Sequence, residues 1–172
     1  KNNLCDWDSF IENSEKLKSN IEKGKKSSSP FNLLSIHDLP ELQKKFTEIF
    51  VKEEYPDTDS IDPIIKKKPK KKIRLGYYSA DFHNHPVSYL IANLFELHDR
   101  SKFELIAFSL GPEKNDEMQN RIAKTFDKFI NVNSKTEKEI SLLSRELEID
   151  IAIDLMGFTK NNKFRIFINR CA

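Results

Sequence analysis

Four short apolar runs, rich in β-branched and aromatic residues, punctuate the second half of the chain: IRLGYYSA from position 73, FELIAFSL from 103, KFINVN from 128 and DIAIDLM from 150. Between them, over residues 87–98, 116–126 and 137–147, apolar positions recur every three or four residues among charged ones. Period-two or continuous apolar runs predict strands, and a period near 3.6 predicts amphipathic helices. Strands alternating with helices of this length predict βαβ units with right-handed crossovers and a parallel sheet. The class is therefore α/β, with residues 73–172 forming a Rossmann-like half.

The first half reads differently. Over residues 7–24, Phe10, Ile11, Leu17 and Ile21 fall on one helical face, with Asp6 as the capping candidate and Gly24 as the stop. The segment KKSSSPFNLLSIHD that follows predicts a loop that docks Phe31, Leu33 and Leu34. A second helix is predicted over residues 40–54, with Leu42, Phe46, Ile49 and Phe50 on one side and Pro40 at its first position. Trp7, Phe46, Phe50, Phe95 and Phe126 all fall on helical apolar faces and are expected in the core. Residues 55–72, YPDTDSIDPIIKKKPKKK, combine three prolines with a lysine run and predict a linker whose lysines are solvated. Three parts result: a helical segment over 1–54, a linker over 55–72 and the α/β lobe over 73–172.

Charge adds an exclusion. With 29 basic against 27 acidic residues the formal charge is +2, which gives no electrostatic case for nucleic acid or a membrane surface as a partner. No apolar run approaches the roughly 20 residues that span a bilayer, and KNNLCDWDSF lacks the layout of a signal peptide. Cys5 and Cys171 share no motif spacing, so neither a disulfide framework nor a cysteine metal site is expected, and the expected compartment is the cytoplasm. The missing initiator methionine, and an ending in the middle of an amphipathic pattern, lead us to expect a piece of a longer protein.

The candidate chemistry lies in two loops. In the usual doubly wound order the first strand sits between the second and the fourth, and ligands bind outside the carboxyl ends of the strands at that switch point. The loop after the first strand is ADFHNHP and the loop after the fourth contains GFTKNN. Pro86 suits the first turn of the next helix, which makes His85 its N-cap. A helix N-terminus attracts anions and favours a neutral imidazole, the form a general base needs. Asp81, four residues earlier at the strand tip, can orient that ring or take the proton itself. The loop has no glycine between Asp81 and Pro86, which disfavours a dinucleotide site built on backbone amides. Gly157 can let the second loop turn or approach a ligand, Thr159 can cap the next helix, and Lys160, Asn161 and Asn162 supply donors.

The same residues also fit a plainer role, in which Asp81, His83, Asn84 and His85 only cap a helix and satisfy turn amides. A metal site on Asp81, His83 and His85 would need further ligands, and the sequence offers no clear cluster to supply them. His37 and His98 have no partner cluster, and no role is assigned to them.

With both loops in view, the chain resembles the protein O-GlcNAc transferases and their SPINDLY-like relatives, in particular the bacterial branch that joins tetratricopeptide repeats to the catalytic region. RLGYYSADFHNHPVSYLI resembles that family's first catalytic strand, loop and helix; FELIAFSLGP resembles its second strand and IDIAIDLMGFTKNN its fourth. CDWDSFIENSEKLKSNI and SPFNLLSIHDLPELQ are similar to the segment that links the repeats to the catalytic region.

The resemblance implies a GT-B architecture of two Rossmann-like lobes, of which residues 73–172 are the amino-terminal one. It implies transfer of a sugar from a nucleotide donor to Ser or Thr hydroxyls of proteins, with inversion, without a catalytic metal and without a cofactor. His85 then matches a histidine considered as general base, and Asp81 an aspartate considered as an alternative or a proton relay. Asn84 and Pro86 match positions lining the sugar and acceptor pocket, and Gly157 and Thr159 belong to the second substrate-facing loop. Val87 departs from the threonine of animal enzymes, and Phe31 stands where those enzymes carry a histidine.

UDP-GlcNAc is the expected donor and GDP-fucose the alternative, since plant SPINDLY proteins share these motifs. The groups that stabilise the leaving diphosphate, an essential lysine among them, belong to the family's second lobe, so this stretch alone is expected to be inactive. A non-catalytic protein-binding module is the reading from another class.

Overall fold

A computed structural model describes residues 7–56, 61–64 and 70–172. The chain divides into two compact units, Lys1–Thr58 and Asp59–Ala172. That division lies within the expected linker.

The first unit is helical, with α1 over Phe10–Glu22, α2 over Pro30–Leu34 and α3 over Pro40–Glu54. Gly24 stops α1 as expected: at φ 74° its N–H bonds Ile21 O, and Lys25 N–H reaches back to Asn20 O. This pair is the left-handed Schellman ending that a glycine permits without a Cβ penalty. Ser9 precedes α1 without a side-chain cap, and the Asp6 cap lies outside the described residues.

The expected docking loop is partly helix, because Ser29 caps α2 by accepting the Asn32 N–H and Pro30 takes its first turn. Only Leu33 of that loop's three apolar candidates is buried. It packs with Ile21, Leu42 and Phe46, while Phe31 and Leu34 remain exposed. Trp7 is exposed as well, which corrects its assignment to the core, and Ile11 of the α1 pattern also faces solvent. His37, left without a role above, joins α1 to the turn before α3 through Ser14 O, 3.1 Å from its Nε2.

The second unit holds β1 (Ile73–Ser79), α4 (Pro86–Leu97), β2 (Phe103–Ser109), α5 (Glu117–Ala123), β3 (Lys128–Asn131), α6 (Glu137–Glu146), β4 (Ile151–Asp154) and α7 (Arg165–Ile168). The four strands form one sheet in the order β3-β2-β1-β4 with every pair parallel. Strand alternation sends Leu75, Tyr77, Leu105 and Ala107 to one face, where Ala92, Phe95, Met118 and Ile122 of α4 and α5 cover them. Tyr78, Ile106 and Phe108 point to the other, under Ile140 of α6 and Ile166 of α7. Burial on both faces explains why these strands read as continuous apolar runs. The unit is an α/β, Rossmann-like lobe.

Several elements are shorter than their patterns. β3 ends at Asn131, whose side chain accepts the Asn133 N–H and turns the chain. α5 ends at Ala123, and Phe126 enters the core from the following turn, where the Thr125 hydroxyl bonds Ile122 O. At the amino ends of the strands, the Arg74 guanidinium donates to Glu104 at 2.8 Å, Glu148 at 3.3 Å and Leu147 O at 3.0 Å. Lys70 donates to Asp150 at 3.2 Å, so this member of the lysine run is tied down, while Lys71 and Lys72 remain exposed as expected. Residues 66–69 of that run lie outside the described residues. Among the described residues no helix is long and apolar enough to cross a membrane.

Candidate active site

β1 lies between β2 and β4, so the chain runs outward from β1 through β2 to β3 and then returns to β4 on the other side. The switch point therefore falls at the carboxyl ends of β1 and β4, where residues 80–86 and 155–162 begin their loops. An open hollow of about 510 Å3 elsewhere, lined by Thr47, Val51 and Tyr55 of the helical unit, holds none of the chemistry-bearing side chains identified above.

The backbone of Asp81 is held from three directions. Its N–H donates to Ser79 Oγ at 3.0 Å, and its carbonyl accepts from Ser88 Oγ at 2.5 Å and from His83 N–H at 2.7 Å. Ser88 belongs to α4, so the strand tip and the helix that follows are locked together. The Asp81 carboxylate is left partly exposed, with one oxygen 3.7 Å from Nδ1 of His85. His85 is the N-cap of α4 as expected, extended at φ −145° and followed by Pro86 at the first helical position.

The cap has a chemical consequence. Nδ1 of His85 accepts the Val87 N–H at 3.3 Å, so in the neutral ring the proton sits on Nε2. A ring in that tautomer cannot take a hydroxyl proton through Nε2. If Nδ1 is instead protonated and turned to Asp81, the Nε2 lone pair becomes free. Capping and base catalysis thus require opposite tautomers of one side chain, and Asp81 is placed to select between them.

Asn84 is exposed; its Oδ1 accepts from the Tyr89 hydroxyl and its N–H donates to Asp116 at 2.9 Å. His83 stacks edge-on to His85 with ring centroids 5.6 Å apart, and makes no side-chain claim on Asp81. Pro86 is exposed and Val87 half-buried beside them.

In the second loop the Asp154 carboxylate accepts the Met156 N–H at 2.8 Å and the Gly157 N–H at 3.1 Å. These bonds end β4 and curl the chain, which Gly157 allows at φ 53°. Burial pushes the Asp154 carboxyl above the ordinary carboxylate range, partly offset by those two bonds. Thr159 does not cap the next helix: its hydroxyl bonds Met156 O at 2.7 Å, and Phe164 stands before α7 without a side-chain cap. Thr159 and Gly157 are brought to the switch point, and Thr159 helps to close the turn there.

Four residues that the sequence reading passed over support the site. Asp116 caps α5 and grips the Asn84 N–H; its bonds from Gln119 N–H and Asn84 N–H hold its carboxyl below the ordinary range. Gln119, buried, donates to Phe82 O at 3.1 Å and accepts from the backbone of Lys114 and Asn115. Gly111 lets the end of β2 approach the strand tip, since a Cβ there would lie 2.2 Å from Ala80 O. Met156 is the fourth. Of these four only Asp116 had a sequence signal, an acidic residue just ahead of a helical pattern; Asp154, three positions before Gly157, carried a comparable turn signal. Among the described residues no group of three His, Cys, Asp or Glu side chains is arranged to hold a metal.

The family model described as Glycosyl transferase family 41 matches residues 45–172, more than half of the chain. The chain belongs to glycosyl transferase family 41. Among curated relatives of this family 41 chain, the probable UDP-N-acetylglucosamine-peptide N-acetylglucosaminyltransferase SEC of Arabidopsis thaliana is 32% identical over 105 residues, covering 61% of this chain and 11% of the relative. The probable enzyme of that description named SPINDLY, also from Arabidopsis thaliana, is 33% identical over 100 residues, covering 56% and 11%. A solved mutant of the Thermobaculum terrenum O-GlcNAc transferase superposes with a TM-score of 0.68 at 26% identity, covering 78% of this chain and 26% of that one. The chain thus spans about a tenth of the length of the curated relatives it matches.

Proposed function

We propose that this family 41 lobe is the acceptor side of a protein O-glycosyltransferase that moves N-acetylglucosamine from UDP-GlcNAc to Ser or Thr hydroxyls, with inversion and without a metal. The observation that carries the reading is the placement of Asp81 beside His85 at the carboxyl end of β1, on the switch point. The relatives' names support the donor and the peptide acceptor.

In this mechanism the acceptor oxygen attacks the anomeric carbon from the side opposite the nucleotide. The new C–O bond forms as the bond to the diphosphate oxygen breaks, and the hydroxyl proton passes to Nε2 of His85. Asp81 holds the Nδ1 proton and stabilises the imidazolium that results, or accepts the proton itself through a relay. The departing diphosphate needs the stabilising groups of the second lobe that the family resemblance implies, and this stretch expressed alone is expected to show no transfer.

The test is a transfer assay on the full-length gene product with UDP-GlcNAc, and GDP-fucose in parallel, following the mass added to an acceptor protein. His85→Ala and Asp81→Asn each lower turnover by about 100-fold or more. Wild-type rates in both variants would remove the base assignment. Absence of transfer by the wild type with either donor would remove the enzymatic reading.

A further inference from the structure

β1 and β4 pair in register up to Tyr78 and Asp154, and Leu155 N–H still reaches Tyr78 O at 3.1 Å. The next rung of a parallel ladder would carry the Ala80 N–H to a carbonyl of β4. The Asp154 turn has already drawn the chain away, and the Ala80 N–H instead meets the thioether of Met156, with nitrogen 3.2 Å from sulfur. The Ser79 hydroxyl approaches the same sulfur at 3.6 Å, and its oxygen in turn accepts the Asp81 N–H. Met156 is 4% exposed and packed in the core of that sheet face. Ser79 and Ala80, the two residues that lead into Asp81, are therefore both held by one side chain from the opposite loop.

We propose that Met156 is a positioning residue for Asp81. The Asp154 carboxylate fixes the Met156 backbone, the sulfur fixes Ser79 and Ala80, and these set the Asp81 carboxylate against His85. A thioether is a weak acceptor, and here the core packing of Met156 holds it in place against the Ala80 N–H. Leucine conserves the volume of methionine and offers no acceptor, which separates the hydrogen bond from the packing.

The inference rests on the transferase reading for its kinetic consequence but not for its structural one, and the test uses both. In the full-length gene product, Met156→Leu is expected to speed hydrogen exchange in peptides covering residues 78–82, and to lower kcat by about tenfold with KM for donor and acceptor unchanged. Ser79→Ala, which removes the link from the sulfur to Asp81, is expected to lower kcat in the same way. Unchanged exchange in Met156→Leu would overturn the grip on Ala80, and faster exchange with wild-type kcat would overturn the positioning role. A rise in KM matching the loss in kcat/KM would also overturn it, since that signals disturbed binding rather than a misplaced carboxylate. If the wild type transfers no sugar, the functional reading falls while the exchange measurement still decides whether Met156 holds the strand tip.

Discussion

In the proposed mechanism His85 holds two duties that a single substitution can separate. As N-cap it offers Nδ1 to the Val87 N–H, and as a base it must leave that bond. Asparagine is among the best N-capping residues and its amide oxygen replaces Nδ1, but it accepts no proton at neutral pH. His85→Asn is therefore expected to keep the stability of the wild type while losing transfer as fully as His85→Ala, which should also lose about 1 kcal/mol of cap. Denaturant unfolding beside the transfer assay reads both. If the asparagine variant retains turnover, the imidazole is not the base and Asp81 inherits the role. At this scale the site was half legible. Pro86 announces the cap, and the pairing of Asp81 with His85 follows from a spacing of four. The thioether bond of Met156 and the buried amide of Gln119 depend on loops brought together by the sheet, and no local pattern signals them.

Elements were the most legible level wherever an apolar stripe coincided with a stop or start residue. The helix over 40–54 falls where its proline and its period place it, and Gly24 ends α1. Ends decided by side chains that take backbone amides, such as those of β3 and β4, fell short of their apolar runs. Apolar count alone also misled at Trp7 and Ile11, whose faces of α1 and its entry stay in solvent. The contact between the ends of β1 and β2 was invisible in the sequence because Gly111 reads as an ordinary turn glycine. Its backbone lies so close to Ala80 that any Cβ meets a carbonyl oxygen, and backbone atoms cannot rotate away. Gly111→Ala should cost about 1–3 kcal/mol and displace the strand tip that carries Asp81, so turnover falls more than stability predicts. Wild-type unfolding midpoint and turnover together would show that β2 can yield there without consequence.

Across the whole lobe, the two ends of the sheet do different work. The carboxyl ends hold Asp81, His85 and the Asp154 turn, which carry the proposed chemistry and the caps that shape its loops. The amino ends hold Arg74 among Glu104, Glu148 and Leu147 O, which ties the strand β1 to β2 and to the segment entering β4. The bond it donates to Glu104 raises the Arg74 pKa further above its already high value, so this guanidinium is charged at every working pH. Arg74→Met keeps most of the stem that packs along the sheet and removes only the fork. Because the pairs are about a quarter to a third exposed, their worth is modest: a loss of about 1 kcal/mol at low salt, shrinking at high salt as screening weakens the wild-type pairs. Turnover per folded molecule should be unchanged, since the altered group sits at the opposite end of the strand from Asp81. Unfolding curves at low and high ionic strength, with kcat measured on the same preparations, check both parts. A kcat loss with intact stability would show that strain travels along β1 from one end of the sheet to the other, and the separation of duties would fail.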